Sequence, residues 1–210
     1  MDNTQIIFHA DGSVFHLGLK PGDTAENLIL VGDPGRVKQV SYFFDLIELE
    51  KSNREFHTVT GRYRGMPVSV ISTGIGTDNI DIVLNELDLL ANYDKEKKSF
   101  LSEPGSLNLV RIGTSGSIQE DLPPGSFLLS SHAIGTEGLL RFYRTTRGVF
   151  VKGFSENFMK EVDWPQGLAE PYLIEGDPLL FERLKNAETR EGITISANGF
   201  YGPQGRSLRL

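Results

Sequence analysis

Two arginines stand beside glycine-rich turns, where their charge indicates a binding site for a small anion. Arg111 interrupts the apolar run 107–112 shortly before Gly113, and a charge within such a run is costly unless it meets an anion. Arg36 lies in the first turn of a predicted helix, where the helix dipole disfavours a cation unless an anion binds there. Arg36 alone also fits a surface arginine that begins a helix. The two arginines together favour the anion site.

The surrounding residues predict the strands and helices that position these arginines. Apolar runs that end at glycine are typical of buried strands in a parallel sheet, and 107–112 is expected to be one. Ligands of such sheets bind outside the carboxyl ends of the strands. Asp33 is the expected N-cap of the first helix, with Pro34 at its first position. The predicted strands cover 28–31, 46–51, 55–63, 68–73, 107–112, 126–130 and 193–197, and the predicted helices 34–44, a segment that opens at about 77, and 178–190.

The second predicted helix carries an apolar stripe that belongs to the core. Its members recur at helical spacing and are Ile80, Val83, Leu84, Leu87 and Leu90. The charged segment 92–106 is expected to be a surface insertion, and 144–170 is expected to be irregular because it has little periodicity. The last strand, 193–197, is expected to be buried.

Composition excludes several classes of function. The net charge of -7 over 210 residues argues against a nucleic-acid surface, and the absence of cysteine excludes disulfides, thiolate nucleophiles and Cys-based zinc sites. No apolar stretch approaches the roughly 18 residues that span a bilayer, and the N-terminus carries polar residues in place of a signal peptide. We therefore expect one cytoplasmic domain over residues 1–210, with no nucleic-acid or membrane partner.

Common catalytic motifs are absent from the sequence. Gly74-Ile75-Gly76 lacks the third glycine of a dinucleotide fingerprint, because position 79 is asparagine, and no Walker sequence occurs. No Gly-x-Ser-x-Gly elbow is present, and the histidines lack metal-ligand spacing.

Three other segments have both a plain and a functional interpretation. The late loop 198–207 carries an aromatic pair, an amide and a guanidinium, which suit a flat heterocycle with carbonyl groups, although a tail loop also fits. Arg54, in Ser52-Asn53-Arg54-Glu55-Phe56, fits a solvated loop residue. His16, in Phe15-His16-Leu17-Gly18-Leu19, fits a half-buried histidine with a hydrogen bond.

Taken in order, these motifs resemble the nucleoside phosphorylase family. The resemblance runs from about residue 14 to the end, and its N-terminal and late segments look like the uridine phosphorylase branch. It implies an α/β fold, a three-layer α/β/α sandwich with a mixed central sheet. The motifs that carry it are Gly32-Asp33-Pro34-Gly35-Arg36-Val37, Ser52-Asn53-Arg54-Glu55-Phe56, Ser72-Thr73-Gly74-Ile75-Gly76, Arg111-Ile112-Gly113-Thr114-Ser115-Gly116 and Phe200-Tyr201-Gly202-Pro203-Gln204-Gly205-Arg206.

The resemblance also implies roles for individual residues. The residues that would bind phosphate are Gly32, Arg36, Arg54, Arg111 and Thr114. Those that would bind the nucleoside are His16, Thr114, Ser115, Gly116, Phe200, Gln204 and Arg206, with Arg206, Gln204 and Arg111 as the catalytic set. Arg54 and His16 would serve a neighbouring subunit's site, the latter at the ribose 5′-hydroxyl. A monovalent-cation site would involve Glu55, Ile75 and Asn79, and no other metal is implied.

The implied activity is cleavage of uridine by inorganic phosphate to uracil and ribose 1-phosphate. Phosphate is then a co-substrate, no cofactor is expected, and the protein would be a homodimer or homohexamer with shared active sites. The chain lacks the family's Glu-Met-Glu ribose segment and stops at Leu210, so we expect a chain truncated relative to the family. The alternatives are a phosphorylase or nucleosidase for another nucleoside, and a truncated, non-catalytic protein that binds nucleobase or phosphate and oligomerises.

Overall fold

The computed structural model describes residues 6–144 and 148–209, in two compact units. The first unit is Met1–Thr114 and the second is Ser115–Leu210. Among the described residues, no helix is long and apolar enough to cross a membrane. That 1–210 is one domain stays a prediction.

A five-stranded mixed sheet organises the first unit. Its strand order is β2-β3-β4-β1-β7, with β1 parallel to β4 and β7, and β3 antiparallel to β2 and β4. The elements are β1 (Asn27–Val31), α1 (Pro34–Ser41), β2 (Leu46–Asn53), β3 (Phe56–Tyr63), β4 (Met66–Ser72), α2 (Thr77–Asn92), the short hairpin β5 (Tyr93–Asp94) and β6 (Ser99–Phe100), and β7 (Asn108–Ile112).

The two faces of this sheet have separate cores. Leu28 and Leu30 pack with Val83, Leu87 and Leu90 of α2 in one core. The alternate residues of β1, Ile29 and Val31, pack on the other face with Val37 of α1. Because successive strand residues point to opposite faces, α1 and α2 cover opposite sides of the sheet. The predicted α/β/α layering with a mixed central sheet is confirmed.

The strand that carries Arg111 differs from the prediction in its burial. β7 pairs in parallel with β1 as expected, but it lies at the edge of the sheet and its residues are half-buried or exposed. The prediction that its apolar sequence forms a buried strand is therefore wrong. Arg111 itself is exposed, so the cost of burying its charge is not the reason for an anion there.

The buried face of helix α2 differs from the predicted apolar stripe. Three of the stripe's five members, Val83, Leu87 and Leu90, belong to the core, whereas Ile80 is half-buried and Leu84 is 37% exposed. Glu86, three residues after Val83, is instead 7% exposed. A buried carboxylate requires hydrogen-bonding partners, and those of Glu86 lie in the N-terminal segment. The predicted surface insertion 92–106 includes the β5–β6 hairpin.

The second unit has a smaller sheet, with strand order β10-β8-β9. Segment 144–170 was predicted to be irregular but contains a helix, and Arg147 lies outside the described residues. The last strand is exposed where burial was predicted, because β10 is an edge strand. The elements are β8 (Phe127–Gly135), α3 (Phe154–Glu161), β9 (Tyr172–Glu175), α4 (Pro178–Leu184) and β10 (Thr189–Ser196), so α4 ends earlier than expected.

Gly61 gives a test of the packing between β2 and β3. A Cβ atom at this position would collide with the carbonyl oxygen of Leu46 and lie 3.0 Å from Cδ2 of Phe44. Backbone cannot move away as a flexible side chain can, so Gly61→Ala should lower the free energy of unfolding by about 3 kcal/mol in urea denaturation. The matched control is Gly105→Ala, whose Cβ would meet only Asn92 Oδ1 at 3.7 Å. Equal stability of the two variants would contradict this packing.

Candidate functional site

The predicted capping of α1 is present and shapes the first part of the site. Gly35 N–H donates to Asp33 Oδ1 at 2.8 Å, and Pro34 begins the helix. Arg36 is half-buried, and its Nη1 donates to the carbonyl oxygen of Ile112 at 3.4 Å. Arg36 therefore crosses from the end of β1 to the end of β7.

Arg111 approaches the same place from β7. It pairs with Leu30 in the sheet, and its Nη2 would lie 3.8 Å from a Cβ atom on Gly32. In the parts of the chain that the structure describes, no carboxylate lies within 4.0 Å of the Arg36 or Arg111 guanidinium. Gly32, Arg36 and Arg111 thus form a cationic cluster at the carboxyl ends of two parallel strands, and its guanidinium groups suit bidentate contact with a small oxyanion. Thr114 follows in exposed, irregular chain.

Arg54 lies elsewhere along the same edge of the sheet. It is at the two-residue turn between β2 and β3, with a left-handed φ of 53°, and its guanidinium lies 5.1 Å from the ring centre of Phe15. The strand order puts this turn three and a half strand spacings from β7, about 17 Å at roughly 4.8 Å per spacing. Arg54 is therefore not part of the cluster formed by Gly32, Arg36 and Arg111.

His16 and Arg54 belong to one local assembly. Asn53 Nδ2 donates to the carbonyl oxygen of His16 at 2.8 Å, and the Phe15 ring contacts both the His16 ring, edge-on, and the Arg54 guanidinium. His16 Nδ1 lies 2.6 Å from Glu86 Oε1. Glu86 was not predicted from the sequence, although a carboxylate within the apolar face of a helix was a signal that could have identified it.

The three residues of the implied cation site adjoin one another. A Cβ atom on Gly74 would lie 2.5 Å from Asn79 Nδ2 and 3.5 Å from Glu55 Cγ, and Asn79 Nδ2 donates to the Ile75 carbonyl oxygen at 3.3 Å. Asn79 thus turns a donor, and not an oxygen, towards Ile75. Cations of this kind are bound by oxygens, and a monovalent cation at Glu55, Ile75 and Asn79 stays a prediction. Across the described residues there is also no group of three His, Cys, Asp or Glu side chains suited to a metal.

The late loop of the second unit brings together the residues predicted at the base. Arg206 stacks on Phe200 with its guanidinium carbon 3.9 Å from the ring centre, and its Nη1 donates to Gln204 Oε1 at 2.6 Å and to the Phe200 carbonyl oxygen. Gln204 Nε2 donates to the Gly199 carbonyl oxygen at 3.0 Å. One face of the Phe200 ring is therefore covered by Arg206.

The glycine-rich segment after β7 is exposed at its centre. Ser115 and Gly116 are exposed, and a Cβ atom on Gly116 would meet open space. Their predicted contact with the base stays a prediction.

A buried tyrosine near the end of β8 was not singled out by the sequence. Tyr172 donates a hydrogen bond to Glu137, and burial, followed by this carboxylate, raises the pKa of the Tyr172 phenol. The phenol therefore remains a donor at neutral pH. It packs against Phe150 and supports the chain beside β8.

Comparison with known proteins identifies the family. The match to the family model described as the phosphorylase superfamily extends over residues 27–210. The chain belongs to this superfamily. The predicted resemblance to nucleoside phosphorylases, in their uridine phosphorylase branch, is confirmed.

Individual members of the superfamily show how far the likeness extends. Uridine phosphorylase of Thermococcus kodakarensis is 30% identical over 198 residues, 93% of this chain and 59% of that protein. A DeoD-type purine nucleoside phosphorylase of Alkaliphilus metalliredigens is 35% identical over 119 residues, 56% of this chain and 46% of that protein. The chain therefore spans about half the length of these curated relatives.

A solved superfamily structure supports the same assignment. The crystal structure of a Trypanosoma brucei nucleoside phosphorylase, whose description says that it shows uridine phosphorylase activity, is 30% identical with a TM-score of 0.81. The match covers 97% of this chain and 72% of that one. A Toxoplasma gondii purine nucleoside phosphorylase, 24% identical with a TM-score of 0.65, shares the fold.

Proposed function

We propose that the chain is a nucleoside phosphorylase that cleaves uridine with inorganic phosphate to uracil and ribose 1-phosphate. The cluster of Gly32, Arg36 and Arg111 carries this proposal. Arg111, near the end of β7, and Arg36, in the first turn of α1, have no carboxylate within 4.0 Å among the described residues. A hydrolase would not require a phosphate site. The uridine phosphorylases among the relatives favour uridine as the nucleoside.

The reaction separates charge, and the proposed residues match its two ends. The bond between sugar and base breaks with cationic character on the sugar and negative charge on the leaving uracil. Arg36 and Arg111 bind phosphate, with Thr114 beside them, and the bound phosphate attracts and attacks the sugar. Arg206 and Gln204 stabilise the uracil anion through donors placed where its charge develops. Phosphate is the nucleophile, so no covalent intermediate with a side chain is required.

Arg54 and His16 support a shared active site. Both lie in the assembly around Phe15, separated along the sheet from the cluster of Gly32, Arg36 and Arg111. In this proposal they serve the site of a second copy, Arg54 at phosphate and His16 at the ribose 5′-hydroxyl, within a cytoplasmic homodimer or homohexamer. The substrates are small molecules, and no cofactor takes part.

A single assay separates the candidate functions. Release of uracil from uridine should require inorganic phosphate and should yield ribose 1-phosphate in equal amount. The second candidate, purine phosphorolysis, is favoured by the purine nucleoside phosphorylases among the relatives, so inosine is tested in parallel. Release without phosphate would indicate a nucleosidase. No release from either nucleoside would reject both candidates and leave another nucleoside or the non-catalytic alternative.

A further inference from the structure

The carboxylate of Glu86 is surrounded by donors from the loop that carries His16. His16 N–H donates to Glu86 Oε1 at 2.9 Å and lies 3.0 Å from Oε2, while Leu17 N–H donates to Oε2 at 2.8 Å. The third group that contacts the carboxylate is the His16 ring, whose Nδ1 lies 2.6 Å from Oε1. Glu86 is only 7% exposed, so its carboxylate has lost most of its contact with water. These hydrogen bonds take the place of that water.

This arrangement determines which nitrogen of His16 carries a proton. An ionised carboxylate only accepts hydrogen bonds, so the His16 Nδ1 that faces it must be the donor. In the neutral imidazole Nε2 is then an acceptor. A sugar hydroxyl can donate to such a nitrogen, whereas the opposite tautomer would offer it only an N–H.

The same loop is restrained from its other side. Asn53 Nδ2 donates to the carbonyl oxygens of His16 at 2.8 Å and of Phe15 at 3.4 Å. Glu86 therefore binds the N–H groups of the loop, and Asn53 binds its carbonyl groups. Arg54 follows Asn53 directly and stacks on Phe15.

We infer that Glu86 is a positioning residue that sets the tautomer and orientation of His16, so that Nε2 accepts a hydrogen bond from the 5′-hydroxyl of the nucleoside. The inference rests on the proposed function for the identity of the hydroxyl. The tautomer itself depends only on the contacts between Glu86 and the loop. The two parts can therefore be tested separately.

The tautomer is measured by two-bond ¹H–¹⁵N NMR spectra of the full chain, with His16 assigned by comparison with His16→Gln. In its neutral imidazole form, wild-type His16 should show a protonated Nδ1 and a bare Nε2. Glu86→Gln, which presents an amide N–H₂ to three donors, should shift His16 towards the Nε2–H form. A wild-type His16 protonated on Nε2 would overturn the inference even if the Gln variant failed to fold.

The control is the other carboxylate–histidine contact of the first unit. Glu50 Oε1 lies 2.9 Å from His57 Nε2, and the Glu50 side chain is exposed. Glu50→Gln should leave the His16 spectrum unchanged. It should also leave unchanged the preference of the protein for uridine over 5′-deoxyuridine. A change of the same size in both variants would mean that the spectrum does not report the Glu86 contact.

Kinetics test the 5′-hydroxyl. In Glu86→Gln the KM for uridine should rise about fivefold to tenfold, which corresponds to the loss of one hydrogen bond. The KM for 5′-deoxyuridine, which lacks that hydroxyl, should change less than about twofold. Equal effects on both substrates would show a purely structural role and overturn the inference. A wild-type chain without phosphate-dependent release would reject the proposed function, and the NMR result would still decide the role of Glu86.

Discussion

Arg111→Ala should reduce phosphate-dependent uracil release by about 100- to 1,000-fold, the loss that follows removal of one preorganised donor. The Arg111 guanidinium lies beside Gly32 at the end of β7, where its planar fork can contact two phosphate oxygens. Its side chain is exposed at a sheet edge, so the substitution should alter the free energy of unfolding little. Steady-state kinetics with varied phosphate measure the loss.

Arg62→Ala is the matched control for this variant. Arg62 is also an exposed arginine of the same sheet, but its Nε pairs with Glu48 at 2.7 Å. It should retain wild-type turnover. Turnover close to wild type in Arg111→Ala would reject the assignment of phosphate to this cluster, and Arg111→Lys should give an intermediate rate because lysine provides only a point charge.

Arg206→Ala should reduce the preference for uridine over inosine by about 10- to 100-fold in kcat/KM, with a smaller effect on the KM for phosphate. The substitution removes the donor to Gln204 Oε1 and the group that covers Phe200. Gln204 then loses its orientation, and the loop loses the guanidinium that would stabilise the uracil anion. Purine and pyrimidine substrates compared in one assay give the ratio.

Arg209→Ala controls for loss of charge in the same loop region, because Arg209 is an exposed arginine three residues further along. It should leave the ratio unchanged. If Arg206→Ala also kept the wild-type ratio, the loop 198–207 would not determine base specificity.

Local signals in the sequence predicted the elements that carry the anion cluster. Gly32-Asp33-Pro34 contains its own strand end, N-cap and first helical residue, and the structure has each of them. The Phe200–Arg206 loop was equally local, since its hydrogen bonds connect residues at most six positions apart. Such interactions depend on neighbouring residues, which a single sequence displays directly.

The features that escaped prediction depend on distant partners. Glu86 contacts His16 from 70 positions away, and no spacing in the sequence connects the two. β7 has the apolar composition of a central strand, but its position at the sheet edge results from the strand order. The separation of Arg54 from Arg111 has the same origin, because Arg54 follows the end of β2, Arg111 lies near the end of β7, and only the strand order sets the distance between them.

The two cores that share β1 limit how the anion cluster can vary. Because Leu28 and Leu30 belong to one core and Ile29 and Val31 to the other, slippage of β1 by a single residue would exchange the contents of both. Insertion or deletion within this strand would therefore disrupt both cores. The hairpin after α2 can change length with little loss of stability. The geometry of the sheet sets the spacing of Gly32, Arg36 and Arg111. Variation in length is therefore expected in loops that leave this spacing unchanged.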